Sequence, residues 1–193
     1  MKRVCVFCGA QPGQGSGYAR LAADLGTAIA ARGLGLVYGG GKVGLMGIVA
    51  DAALRGGSEV VGVIPEALMD RELGHGGVTD LRVVPSMHVR KAMMNDLSDG
   101  FIVLPGGIGT LEEAVEIQSW SQLGIHGKGL VFLDENDYWA PYFVLLDRMA
   151  GEGFVRPEHA GLALRAETPE AALDTLAGWT PPSVTRWMTQ TEV

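Results

Sequence analysis

The sequence predicts an α/β fold, a Rossmann-like, doubly wound, mostly parallel sheet with helices on both faces. Three observations predict it. Short apolar runs alternate with stretches of helical period along the chain. The runs are continuously apolar, as strands are when both faces of a sheet are covered. Glycine clusters fall where strands give way to helices, the edge of such a sheet at which ligands bind.

Each element follows in order. Val4 to Cys8 is a β-rich apolar run closed by Gly9, a buried first strand. After a Gly/Gln/Pro/Ser loop, Tyr18, Leu21, Ala22, Leu25, Ala28 and Ile29 recur at helical spacing. Gly33 and Gly35 end that helix, and Leu34 to Tyr38 form the second strand. Gly39-Gly40-Gly41 turns the chain into a helix from Leu45 to Leu54, Gly56-Gly57 stops it, and Val60 to Ile64 is the third strand. Pro65 to Asp80 reads as an irregular loop or broken helix, and Leu81 to Val84 as a short strand. Ser86 can cap a helix over Met87 to Leu97. Phe101 to Leu104 is an apolar strand, Pro105-Gly106-Gly107 turns the chain, and Thr110 starts a helix that runs to Leu123. A strand at Leu130 to Leu133, a helix at Pro141 to Met149, a strand at Leu162 to Leu164 and a helix at Pro169 to Ala177 complete the pattern. Residues 1–180 are thus expected to form a single nucleotide-binding α/β domain, and 181–193 a tail without pattern.

Composition narrows the function. A chain of 193 residues with 47% hydrophobic content can bury a proper core in one domain. Glycine is the outlier at 29 residues, clustered in turns with no collagen-like period. A net charge of -7 gives no broad attraction for a nucleic-acid backbone, so no nucleic-acid partner is expected. No stretch is apolar for long enough to span a membrane, and the run after Met1-Lys2-Arg3 is too short for a signal peptide. A cytoplasmic protein with no membrane partner is the expectation. Cys5 and Cys8 form a C-x-x-C without a second pair, and the four histidines are scattered, so two small buried hydrophobes are expected and no metal site.

Three segments could carry chemistry. Gly39, Gly40 and Gly41 open a G-x-G-x-x-G match completed at Gly44, between a strand and a helix, where bare N–H groups attract a phosphate; a plain tight turn is the alternative. Lys42 is followed by Val43, which excludes a P-loop. Gly106, Gly107, Ile108, Gly109 and Thr110 form a second run of this kind, in which the Thr110 hydroxyl can donate to a phosphate oxygen. Glu113 has two readings on spacing alone: partner of Thr110 in a capping box, or a carboxylate one turn from a bound phosphate and facing the sugar. Arg90 and Lys91, after Ser86, read either as a solvated face or as an anion site beside a helix start.

Taken in order, Cys8-Gly9, Tyr38-Gly39-Gly40-Gly41, Gly44-Leu45-Met46-Gly47, Met87-His88-x-Arg90-Lys91-Ala92 and Pro105-Gly106-Gly107-x-Gly109-Thr110-x-x-Glu113 resemble the LOG ("Lonely Guy") proteins. These are cytokinin riboside 5′-monophosphate phosphoribohydrolases, often labelled lysine decarboxylase-like. The resemblance runs from Lys2 to Gly153 and includes Gln122-Leu123-Gly124-Ile125-His126. It implies hydrolysis of the N-glycosidic bond of AMP or N6-modified AMP to free base and ribose 5-phosphate, without metal or organic cofactor, in a homodimer with the site near the subunit interface. It implies that Arg90 and Glu113 are catalytic. It also implies that Lys91 and the run Gly106, Gly107, Ile108, Gly109, Thr110, Leu111 and Glu112 touch nucleotide, with Ser119 and Glu72 as further contacts. Ser119 stands where plant members usually carry Thr, Ile108 where many carry Tyr, and Val89 where Glu or Gln is common.

The chemistry fits these residue types. Glycosidic cleavage builds oxocarbenium charge, which a carboxylate near C1′ stabilises while it activates water. Arg90 is too basic to act as an acid and is expected to orient ribose, phosphate or Glu113. A lysine decarboxylase would need a Schiff-base lysine, and Lys2, Lys42, Lys91 and Lys128 stand in no such setting. A non-catalytic nucleotide carrier on the same fold is the alternative class. An NAD oxidoreductase would need its glycine run after the first strand.

Overall fold

The computed structural model describes residues 1–69, 73–182 and 189. Seven strands form one sheet in the order β4-β3-β2-β1-β5-β6-β7, and every pair is parallel. The strands are β1 (Arg3–Phe7), β2 (Gly35–Tyr38), β3 (Val60–Pro65), β4 (Asp80–Val84), β5 (Gly100–Val103), β6 (Leu130–Leu133) and β7 (Ala163–Ala166). The helices are α1 (Gly17–Ala31), α2 (Gly44–Arg55), α3 (Met87–Leu97), α4 (Ile108–Gln122), α5 (Ala140–Gly151), the short α6 (Pro157–Ala160) and α7 (Pro169–Ala177).

Strand period 2 sorts the core into two layers. Val4, Val6, Leu36, Tyr38, Ile102 and Leu104 pack on one face with α1, α2 and α7. Cys5, Phe7, Val37, Phe101, Val103 and Phe132 pack on the other, under α3, α4 and α5. The continuous apolar strands were read from this double coverage. Cys5 and Cys8 fall on opposite faces, both buried and neither in a disulfide. Burial pushes the Cys5 thiol well up, so it is a small apolar side chain and no nucleophile.

The sheet reverses direction at β1. The chain winds outward from β1 to β4, then α3 crosses back under the sheet and delivers β5 to the other side of β1. Ligands on such sheets bind at this switch point, beyond the carboxyl ends of the two diverging strands.

Three expectations are refined. The loop after β3 contains a 3-10 turn at Glu66–Leu68. β7 extends two residues beyond Leu164. The third concerns α4, which begins at Ile108 with Gly107 as its N-cap, two residues before Thr110. Gly107 is extended and the helix begins directly after it, so Thr110 lies inside the first turn.

Candidate active site

A cavity of about 580 Å³ lies at the switch point, within the usual size of a small-molecule site. Its floor is the ends of β1 and β5, tied together by Gly9 N–H donating to Pro105 O at 3.2 Å. Gly106 makes this approach possible: a Cβ there would lie 2.2 Å from Thr110 Oγ1 and 2.8 Å from Gly9 N. The α4 N-terminus opens into the cavity through Gly107, Gly109 and Thr110. No side chain caps it, and first-turn N–H groups have no partner within their own helix. Those donors and the helix dipole favour an anion here.

One turn deeper along α4, Glu113 reaches the same cavity. Its Oε1 lies 3.5 Å from Arg90 Nη2, and the two side chains are only 9% and 6% exposed. Glu113 is not a capping-box residue, because Thr110 is not the cap; that reading is corrected.

Arg90 comes from α3, whose start is set by Ser86 Oγ accepting from Val89 N–H at 3.3 Å. Its Nε donates to Val63 O at 3.1 Å and its Nη2 to Gly39 O at 3.2 Å. The ends of β2 and β3 thus hold the guanidinium, whose Nη1 lies on Met87 Sδ at 3.6 Å and whose Nη2 also faces Glu113. A buried pair of this kind is costly to break and weak as a source of stability, which fits a pair retained for chemistry.

The family described as "Possible lysine decarboxylase" matches residues 46–176. A cytokinin riboside 5′-monophosphate phosphoribohydrolase of Rhodococcoides fascians is 49% identical over 89% of this chain and 87% of its own length. A protein of the same name from Arabidopsis thaliana is 43% identical over 93% of this chain and 84% of its own. The chain belongs to the LOG family. Solved structures of molybdenum cofactor proteins share the fold: one from Rippkaea orientalis has a TM-score of 0.69 at 19% identity, covering 92% of this chain and 96% of that one. A carrier protein from Chlamydomonas reinhardtii has a TM-score of 0.65 at 18% identity, covering 92% and 99%. Likeness at this identity concerns the fold alone.

The decarboxylase label of this LOG chain has no support in its cavity. All four lysines lie within the described residues and none lines it. Lys91 Nζ pairs with Glu112 at 2.6 Å and Glu116 at 2.9 Å. Lys128 Nζ binds the Asn95 carbonyl at the end of α3. Lys2 and Lys42 are exposed. The residues present do not fit a Schiff-base cofactor.

The expected nucleotide contacts divide. Arg90, Glu113, Gly39, Gly106, Gly107, Gly109 and Thr110 come together at the cavity. Lys91 does not line it: burial pulls its ammonium down, but the hydrogen bonds to Glu112 and Glu116 outweigh that and keep it charged. Ile108, Glu112 and Ser119 face outward, and Leu111 packs beside the core. Gly40 and Gly41 do not line the cavity. The Gly40 carbonyl accepts from His75 N–H, and Gly41 bridges Gly74, so both serve the 73–75 segment. Leu45 N–H, in the first turn of α2, already donates to Gly9 O. Glu72 lies outside the described residues.

Sequence reasoning missed an apolar and aromatic wall formed by Met46, Leu68, Met87, Tyr18 and Tyr138. Tyr18 reads as one more core residue of a periodic helix, and Tyr138 lies in an aperiodic loop. Their positions beyond the carboxyl ends of β1 and β6 were the usable signal.

Proposed function

We propose that this chain hydrolyses the N-glycosidic bond of adenine-type nucleoside 5′-monophosphates, giving free base and ribose 5-phosphate. The observation that carries this is the buried Arg90–Glu113 pair one helical turn from the α4 N-terminus, in one cavity. The phosphate sits on the first-turn N–H groups of α4. Thr110 and Glu113 are three residues apart, a rise of about 4.5 Å, which places the carboxylate beside the ribose. Water adds to C1′, the C1′–N9 electron pair departs with the purine, which takes up a proton from solvent, and Glu113 takes the proton of the attacking water, later released to solvent, while its charge faces the oxocarbenium-like sugar. Arg90 orients Glu113 and the sugar. The phosphate anchor supplies binding energy remote from the reacting bond. The LOG relatives named as cytokinin riboside 5′-monophosphate phosphoribohydrolases support the same substrate class.

The working unit in this reading is a homodimer of one α/β domain over 1–180, acting in the cytoplasm without metal or organic cofactor. Ile108, 83% exposed, and Val115, 43% exposed, lie two turns apart on the outer side of α4, and supply an apolar face for a second copy. No helix among the described residues is long and apolar enough to cross a membrane.

The test incubates the protein with AMP, isopentenyl-AMP and adenosine, with and without a chelator, and resolves free base by chromatography. Base is released from one or both monophosphates, chelator has no effect, and adenosine is a far poorer substrate. If a folded protein releases no base from any purine monophosphate, the hydrolase reading falls.

A further inference from the structure

The glycines at the mouth of the cavity pose a physical problem. Gly106 is needed for the close approach to Gly9 and Thr110, yet Gly106 and Gly107 carry no side chains to anchor them, and glycine is the residue with the most conformational freedom to lose. A phosphate cradle works only if its donors are held in place. Among the described residues, Tyr138 restrains this loop from outside: its hydroxyl donates to Gly106 O at 2.6 Å.

The loop between β6 and α5 is built around that contact. Asp134, 1% exposed, accepts from Trp139 N–H at 3.1 Å and from Arg165 Nε at 2.9 Å. Trp139 is buried edge-on against Phe132. Asp137 takes a left-handed φ of 57°, uncommon outside glycine, and is held there by the Arg165 guanidinium. Glu135 pairs with Arg20 of α1 at 2.6 Å. A rare backbone conformation persists where its surroundings over-determine it. Here the surroundings press the Tyr138 ring against the edge of Tyr18, centroids 5.7 Å apart, and bring its hydroxyl onto the glycine loop.

We propose that Tyr138 is a positioning residue: through the Gly106 carbonyl it holds the loop so that the first-turn N–H groups of α4 stay aimed at the substrate phosphate. This rests on the nucleoside monophosphate reading of the cavity. It makes Tyr138 matter for phosphate-bearing ligands and not for the glycosidic step itself.

The test compares parent and Tyr138→Phe by calorimetric titration with inorganic phosphate and ribose 5-phosphate, by steady-state kinetics with AMP and adenosine, and by thermal melting. Phosphate and ribose 5-phosphate affinities fall, and KM for AMP rises, by about threefold to tenfold, the span of one hydrogen bond. Melting, kcat for AMP and kcat/KM for adenosine stay near the parent. Unchanged phosphate affinity overturns the proposal; so does an equal fall for AMP and adenosine with a lower melting temperature, the mark of a merely structural residue. Should Tyr138→Phe fail to fold, Arg165→Gln loosens the same loop from outside the cavity and is read in the same way. A parent that binds phosphate but releases no base from AMP ends the hydrolase reading, while the phosphate titrations still decide the role of Tyr138.

Discussion

A methyl group at position 39 would lie 2.0 Å from Arg90 Nη2 and 3.2 Å from its Cζ. Gly39 is not among the left-handed glycines, so Gly39→Ala strains no backbone torsion, and its effect falls chiefly on the guanidinium, with the flexible Met46 Sδ at 3.1 Å as the other neighbour. Ordinary contact is about 3.5 Å, so Nη2 must retreat by about 1.5 Å. Arg90 Nε is bonded to Val63 O at 3.1 Å, which limits the retreat to a rotation that takes Nη2 away from Gly39 O and Glu113. Overpacking of this kind costs about 1–3 kcal/mol of stability, and a displacement of about 1 Å at reacting groups costs about 10²-fold in rate. The assay is release of base from AMP at saturation, with melting by calorimetry, for Gly39→Ala, Arg90→Ala and the double variant. Because the added methyl meets the guanidinium, Gly39→Ala should change little in the Arg90→Ala background, leaving a coupling of about 1–3 kcal/mol. Parental turnover in Gly39→Ala, or additive effects in the double variant, would refute the account of how Arg90 is seated.

His126 gives a pH signature. Burial pushes its pKa down to about 4, aided by Lys128; in the folded protein Nε2 donates to Ile117 O and Nδ1 accepts from Lys128 N–H. The unfolded chain takes up a proton below 6.5 and the folded chain only near 4, so stability is full above pH 6.5 and falls by about 3 kcal/mol as pH drops through this window. His126→Gln should flatten that slope in denaturant titrations at pH 4 to 7, and an unchanged slope would contradict it. Ser86→Ala removes the cap of the helix that carries Arg90 and should cost about 1 kcal/mol in the same titration; no loss would show the cap to be idle. Lys91→Met should leave KM for AMP near the parent, because Lys91 does not line the cavity, and should lower stability, because it takes a buried cation away from Glu112 and Glu116. A large rise in KM would mean that Lys91 reaches the substrate.

Much of the fold was legible because both of its signals are local. Doubly covered strands read as apolar runs, as at Val4–Cys8, and one-sided helices read as periodic stripes, as in α1. The Arg90–Glu113 pair was legible through motif order. The pairing partners were not, since nothing local says that Lys91 turns to Glu112 and Glu116 instead of to a phosphate. The first glycine run shows the same limit. Gly39 to Gly41 satisfies a phosphate-loop spacing, yet Gly39 seats a guanidinium and Gly40 receives a loop. The capping box failed because it depends on where α4 begins, and α4 begins at Ile108, two residues before Thr110.

The central claim is that Glu113 supplies the carboxylate for glycosidic cleavage. Glu113→Gln keeps the shape and removes the charge, and the direct measurement is its turnover of AMP beside the parent, with melting and AMP affinity recorded on the same samples. The account predicts a fall in kcat of about 10²–10⁴-fold with folding intact and AMP still bound. A Glu113→Gln protein that melts normally and releases base near the parental rate would contradict it.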